Sequence, residues 1–219
     1  MMFRVRLLIA NLVLASAWLV AAATAAPAPS AAQIQRAEKI TANLGIADTA
    51  KAVRVRDLIA RQYADLSVIH AMRDAALKAA KEQTANGMTA TDAAMKQARA
   101  DADAAQNRLH GEYLGRLATE LTPTQIDQVK DGMTYGVLPL TFRVYQEMLP
   151  NLTSEQKAQI LAWLTEAREL AMDGSTSEEK HAWFGKYKGR INNYLAKAGI
   201  DMKQAEKDLQ TRQQASASK

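Results

Sequence analysis

His181, Trp183, Lys186, Tyr187, Arg190 and Asn193 crowd one short stretch of the chain, the densest group of side chains in it that could recognise a ligand. Flat rings suit the apolar faces of sugars, while guanidinium forks and amides suit hydroxyls and carboxylates. At helical spacing Trp183, Tyr187, Ile191, Tyr194 and Ala198 share one face, with Phe184 and Leu195 beside them. Lys186, Arg190, Asn193 and Lys197 lie opposite. Such an aromatic stripe more often packs against a core than against a ligand. Gly185 and Gly189 each cost about 1 kcal/mol against alanine inside a helix, which predicts a close approach there. The stretch Asp131 to Pro139, with Gly132, Gly136 and Pro139, reads as a fixed loop that would supply a second wall through Tyr135. The predicted ligand-binding surface is therefore Tyr135, His181, Trp183, Lys186, Tyr187, Arg190 and Asn193.

Catalytic signals are absent, so no catalytic residue is assigned. His70, His110 and His181 have neither His-Glu-x-x-His nor His-x-x-x-His spacing, and there is no cysteine. No metal pair and no cofactor are predicted. His70 with Asp74 reads as a surface i,i+4 pair. Ser67 lies in no Gly-x-Ser-x-Gly elbow, and no glycine-rich phosphate loop occurs. Carboxylates are plentiful, and glycosidase chemistry needs two of them at a suitable separation, which sequence does not reveal.

The elements that must position these groups are helices. Strand alternation is missing, whereas helix starts recur. In a capping box the N-cap oxygen accepts the N3 amide and a Glu or Gln at N3 reaches back to the N-cap amide. Ser30/Gln33, Thr122/Gln125, Thr153/Gln156, Ser175/Glu178 and Asp201/Gln204 fit that pattern. Helices are predicted over 31–44, 48–85, 91–120, 123–133, 140–148, 154–172, 176–198 and 202–213. Gly45 would end the first, and Asn86-Gly87 would break the chain between the second and third. The fold class is all-α: a long antiparallel helical hairpin joined to a compact helical bundle. Alanines line the far end of that hairpin and bury little area, so it should be the least stable part.

The first residues have the three parts of an export signal. Arg4 and Arg6 are basic, Leu7 to Val20 is apolar, and Ala23-Thr24-Ala25 offers small residues to a peptidase. Cleavage after Ala25 is expected, leaving one helical domain over 26–209 and a disordered tail over 210–219. The apolar stretch is short of the ~20 residues a bilayer requires, so no membrane anchor is expected after cleavage. With Arg4 and Arg6 removed the formal charge of +5 falls by two to +3, mildly basic and compatible with an acidic partner. Export argues against nucleic acid.

Leu121-Thr122-Pro123-Thr124-Gln125 and Leu152-Thr153-Ser154-Glu155-Gln156 repeat one pattern. Each is a well-built helix start, with Pro123 at N1 and Leu121 able to staple onto Ile126. The doubled motif resembles the LTxxQ-motif periplasmic Spy/CpxP proteins, which implies a cradle-shaped chaperone working without ATP. The resemblance covers 121–170. The whole mature chain is similar to a family of secreted proteins from polysaccharide-degrading bacteria, classed as a domain of unknown function. The carrying stretches are Arg36 to Ile40, Gln62-Tyr63 with Ile69-His70 and Arg73-Asp74, Asp131 to Val137, and Glu178 to Tyr194. That likeness implies a helical fold and a periplasmic or secreted location in a glycan-using organism. Three functions are expected in this order: a binding or accessory protein of the envelope, taking an acidic oligosaccharide or a secreted protein partner; a polysaccharide-acting enzyme with an unrecognised carboxylate or histidine pair; and a Spy-like chaperone.

Overall fold

A computed structural model describes residues 27–82 and 88–217. The export segment and Asn86-Gly87 lie outside those residues. The described residues form helices and no strand: α1 (Ala31–Ala42), α2 (Thr49–Glu82), α3 (Met88–Glu120), α4 (Pro123–Met133), α5 (Val137–Met148), α6 (Ser154–Met172), α7 (Ser177–Lys197) and α8 (Met202–Ala217). None is long and apolar enough to cross a membrane.

Local chemistry sets most of these boundaries. Ser30/Gln33, Thr122/Gln125 and Thr153/Gln156 close complete capping boxes and start α1, α4 and α6. Asp201 accepts the backbone amides of Lys203 and Gln204, but the Gln204 side chain turns forward and donates Nε2 to Asp208, so only half a box forms. At α7 the cap is Thr176 rather than Ser175, and Glu179 accepts the Ser175 amide at 2.8 Å. The expected loop from Asp131 to Pro139 is shorter than predicted. Val137 already begins α5, leaving only Thr134 to Gly136 between helices. Pro139 sits in the first turn of α5, where its missing N–H would have had no helical partner. The last helix continues past Gln213 to Ala217, and Arg212 donates to the Glu147 carbonyl at 2.9 Å.

Two cores result. Ala37, Ile40, Val55, Ile59, Tyr113, Leu117, Leu121, Val129 and Met133 join α1 to α4, and Ile126 packs against them beside Leu121 as a staple requires. Leu138, Tyr145, Ile160, Leu164, Ala167, Phe184, Ile191 and Leu195 join α5, α6 and α7. Helix α6 serves both, since its last residue, Met172, belongs to the first core. Gly132 is required by a close crossing: a Cβ there would lie 2.8 Å from Ile40 Cγ1. Along α2 no residue between His70 and Ala80 is buried, as expected of the alanine-lined end.

Candidate functional site

Beside the first core, a cavity of about 610 Å³ opens between α1, α2, the α4–α5 corner and the start of α7. Helical spacing selects its walls. Gln33, Arg36 and Ile40 come from one face of α1, and Tyr63, Leu66 and His70 from one face of α2. Gln33 Nε2 donates to Ser67 Oγ at 3.1 Å and fastens the two helices together at the rim. Lys39, Tyr135, Lys180 and the run Ser175 to Ser177 complete the polar lining. No Asp or Glu is among the described residues that line the cavity. Arg36 and Lys39 are exposed and make no ion pair among the described residues. An anion entering here meets uncompensated positive charge.

Lys180 is only 5 % exposed. Its Nζ donates to the carbonyls of Met133 at 3.1 Å and Met172 at 2.9 Å, the last residues of α4 and α6. A cation at two helix C-termini is well placed. Burial nevertheless pulls its pKa down to about 8, against the attraction of Asp173 and with the repulsion of Arg36. Gly174 allows this lysine its place, since a Cβ there would meet Lys180 Cγ at 3.1 Å. Tyr63 lies beneath, its ring centroid 5.9 Å from the ammonium, and burial pushes its phenol up to about 12. It stays a proton donor.

His70 is buried and is no surface partner of Asp74, which pairs with Arg73 instead. His70 Nε2 donates to the Asp173 carbonyl at 2.9 Å. The carboxylate of Asp173 accepts from His110 Nδ1 at 2.7 Å, which raises the histidine pKa against burial. One residue thus ties α2, α3 and the α6–α7 loop behind the cavity wall.

Tyr135 stands at the rim, 57 % exposed, with φ +59°. The corner it occupies is a Schellman motif: the Gly136 amide donates to the Asp131 carbonyl at 2.8 Å, and the Tyr135 amide points at the Gly132 carbonyl. The end of α7 repeats this geometry. There the Ile200 amide donates to Leu195, and the residue at the left-handed position is Gly199, φ +83°. Where α7 uses glycine, α4 uses tyrosine, at a strain of roughly 1–2 kcal/mol for a side chain in that region. The ring stacks on His181 with centroids 5.6 Å apart and planes at 21°, and His181 is fixed by donating Nδ1–H to the Ser177 carbonyl at 2.7 Å. More than half of Tyr135 stays open to solvent beside this stack.

Relief of this strain is measurable. Tyr135→Gly is expected to match or exceed the natural chain in stability by up to about 1 kcal/mol, and Tyr135→Ala to fall about 1 kcal/mol below Tyr135→Gly. Urea titrations of both variants decide it. A glycine variant less stable than the alanine one would mean that the backbone here carries no strain.

Of the sequence-predicted surface, Tyr135 and His181 come together at this rim. Trp183 and Lys186 lie further along α7 on a smaller cavity of about 420 Å³, which shares His70 and Gly174 with the first. Lys186 Nζ sits 5.0 Å over the Trp183 ring. Arg190 and Asn193 line a shallow groove elsewhere, Arg190 stacking over Trp163 at 4.5 Å and reaching Glu166 at 3.4 Å. Tyr187 packs half-buried against the second core. The buried face of α7 is Lys180, Phe184, Ile191 and Leu195, while Trp183 lies half-buried at its flank and Ala198 is exposed. The close approach expected at Gly185 and Gly189 does not occur, since a Cβ at either would meet nothing within 4 Å. Arg36, Lys39, Tyr63, His70 and Lys180 were not among the predicted ligand residues. Their signal lay in the stretches that carried the family likeness, which converge on this cavity from four places in the chain.

Residues 31–215 match the family model described as a protein of unknown function (DUF3826). No curated protein matches the chain.

Proposed function

The chain belongs to the DUF3826 family of proteins of unknown function, and from that premise we propose that it is an exported binding protein for acidic carbohydrate. One observation carries the reading. Arg36, Lys39 and Lys180 wall a cavity that no carboxylate of the described residues lines, and an exposed, strained tyrosine offers a stacking face at its mouth. Cations recognise the carboxylates of uronic acids, and the ring recognises the apolar face of the sugar. Export is supported by the basic, apolar and small-residue sequence of Arg4 to Ala25.

A chaperone of the Spy type would require a continuous exposed apolar face. Among the described residues, the large apolar side chains that remain exposed besides Tyr135 are Val53, Met72, Leu140, Val144, Leu161 and Leu170, spread over α2, α5 and α6. That distribution supports client binding less than the cavity supports a sugar.

Calorimetric titration with oligogalacturonates and neutral oligosaccharides of equal length tests the proposal. The acidic series is expected to bind and to weaken with salt, and Arg36→Ala to cost about tenfold in affinity, near the lower end for a charged hydrogen bond. Equal binding of the neutral series, or no heat with any acidic oligosaccharide, would refute it.

A further inference from the structure

Resting on that binding reading, we propose that the cavity is also a catalytic site, which breaks a 4-linked uronate chain by β-elimination with Lys180 as base and Tyr63 as acid. Hydrolysis of a glycosidic bond ordinarily uses two carboxylates, and among the described residues none lines the cavity. Elimination needs none. It needs a cation on the sugar carboxylate, a base for the proton on the adjacent carbon, and a proton for the departing oxygen.

Each part is present. Arg36 and Lys39 stand exposed and without an ion pair among the described residues, able to hold the C6 carboxylate and stabilise charge that develops on it when C5 loses its proton. Lys180 is buried in the wall with two of the tetrahedral directions at Nζ taken by the Met133 and Met172 carbonyls. A neutral amine keeps both hydrogen bonds with its two hydrogens and leaves its lone pair in the remaining direction. Deprotonation therefore breaks nothing in the fold, and burial brings it within reach of ordinary pH, at about 8. Tyr63 lies beside this ammonium with its phenol held protonated.

The step balances without a co-reactant. Lys180 Nζ takes the C5 proton, the electron pair forms the C4=C5 double bond, and the C4–O4 bond breaks. The departing oxygen takes the Tyr63 proton, which is favourable because an alkoxide is more basic than this phenolate. Lys180 then returns its proton to the phenolate through solvent. The products are one chain with a new hydroxyl and one with a 4,5-unsaturated uronate at its end, together equal in mass to the substrate.

The mature chain incubated with galacturonan, glucuronan and alginate oligomers tests this, followed by the ultraviolet absorbance of the unsaturated product and by mass spectrometry. A product with no added water is expected on at least one of them, with a turnover number that rises as pH passes about 8. Tyr63→Phe, which removes only a hydroxyl, is expected to lower turnover by roughly a hundredfold or more with affinity unchanged. Lys180→Gln is expected to abolish the pH-dependent rise, with circular dichroism reporting whether the helices persist. Binding by calorimetry without any unsaturated product overturns elimination and leaves the binding reading standing. Products that have gained water overturn it as well. Absence of binding removes both.

Discussion

Arg168→Ala is expected to lower the unfolding free energy by roughly 3 kcal/mol, at the lower edge of what breaking a buried ion pair costs. Arg168 projects from α6 with its side chain 7 % exposed, and its fork reaches two carboxylates of α4. Nη2 donates to Asp127 and Nη1 to Asp131 at 2.9 Å. Asp131 is largely covered, whereas Asp127 is half in water and recovers hydration when the arginine leaves. That difference holds the estimate near the lower edge. The change matters for the cavity because Asp131 also carries the corner. Its carbonyl accepts the Gly136 amide, and that bond closes the turn presenting Tyr135. The variant should therefore lose affinity for acidic oligosaccharide as well as stability. Urea denaturation measures the first loss. A change under about 1 kcal/mol would place this pair with ordinary surface pairs. Arg168→Lys should not rescue it, since an ammonium cannot span both aspartates.

The sequence read best where the cause of structure is local. Thr122/Gln125 and Thr153/Gln156 satisfy their own amides, and α4 and α6 begin at the predicted residues. The glutamine of the first pair does more than close its box: Gln125 Nε2 donates to the Leu44 carbonyl at 2.9 Å and ties α1 to α4, which no local pattern announces. The α7 start was ambiguous for a local reason. Ser175-Thr176-Ser177-Glu178-Glu179 permits two boxes one residue apart. The structure completes neither: Thr176 caps the helix by accepting the Glu179 amide, and the Glu179 carboxylate turns to the Ser175 amide instead.

The cavity was harder to read. Periodicity tells which face of α1 or α2 is apolar, not that these faces meet the α4 corner. Lys180 shows why the wheel of α7 was misphased. A lysine does not extend an apolar stripe, so spacing alone centres the face on Trp183. The amine of Lys180 is satisfied by the carbonyl ends of two other helices, so it lies at the same depth as Phe184, one turn on. His70 misled similarly: its partner is the Asp173 carbonyl, far away in sequence. Buried polar groups with distant partners are where one-dimensional reading ends.

Phe184→Ala should be the most damaging single change in α7, at about 4 kcal/mol. Phe184 is 1 % exposed at the centre of the second core, against Ile160, Leu164 and Leu195. A chain of this size would lose roughly 8–16 °C in melting temperature. The response also reports how the two cores are coupled. Helix α6 gives Ile160 to Ala171 to the second core and Met172 to the first, and Lys180 joins the ends of α4 and α6. With that much shared, the two cores should melt together. Fluorescence of Trp163 and Trp183, which pack against the second core, should follow the same curve as far-ultraviolet dichroism, which the long α2–α3 hairpin dominates. Two separated transitions in the variant would show instead that the hairpin folds without its partner. The cavity between them would then be formed by docking two independent bodies, and ligand binding would be coupled to that docking.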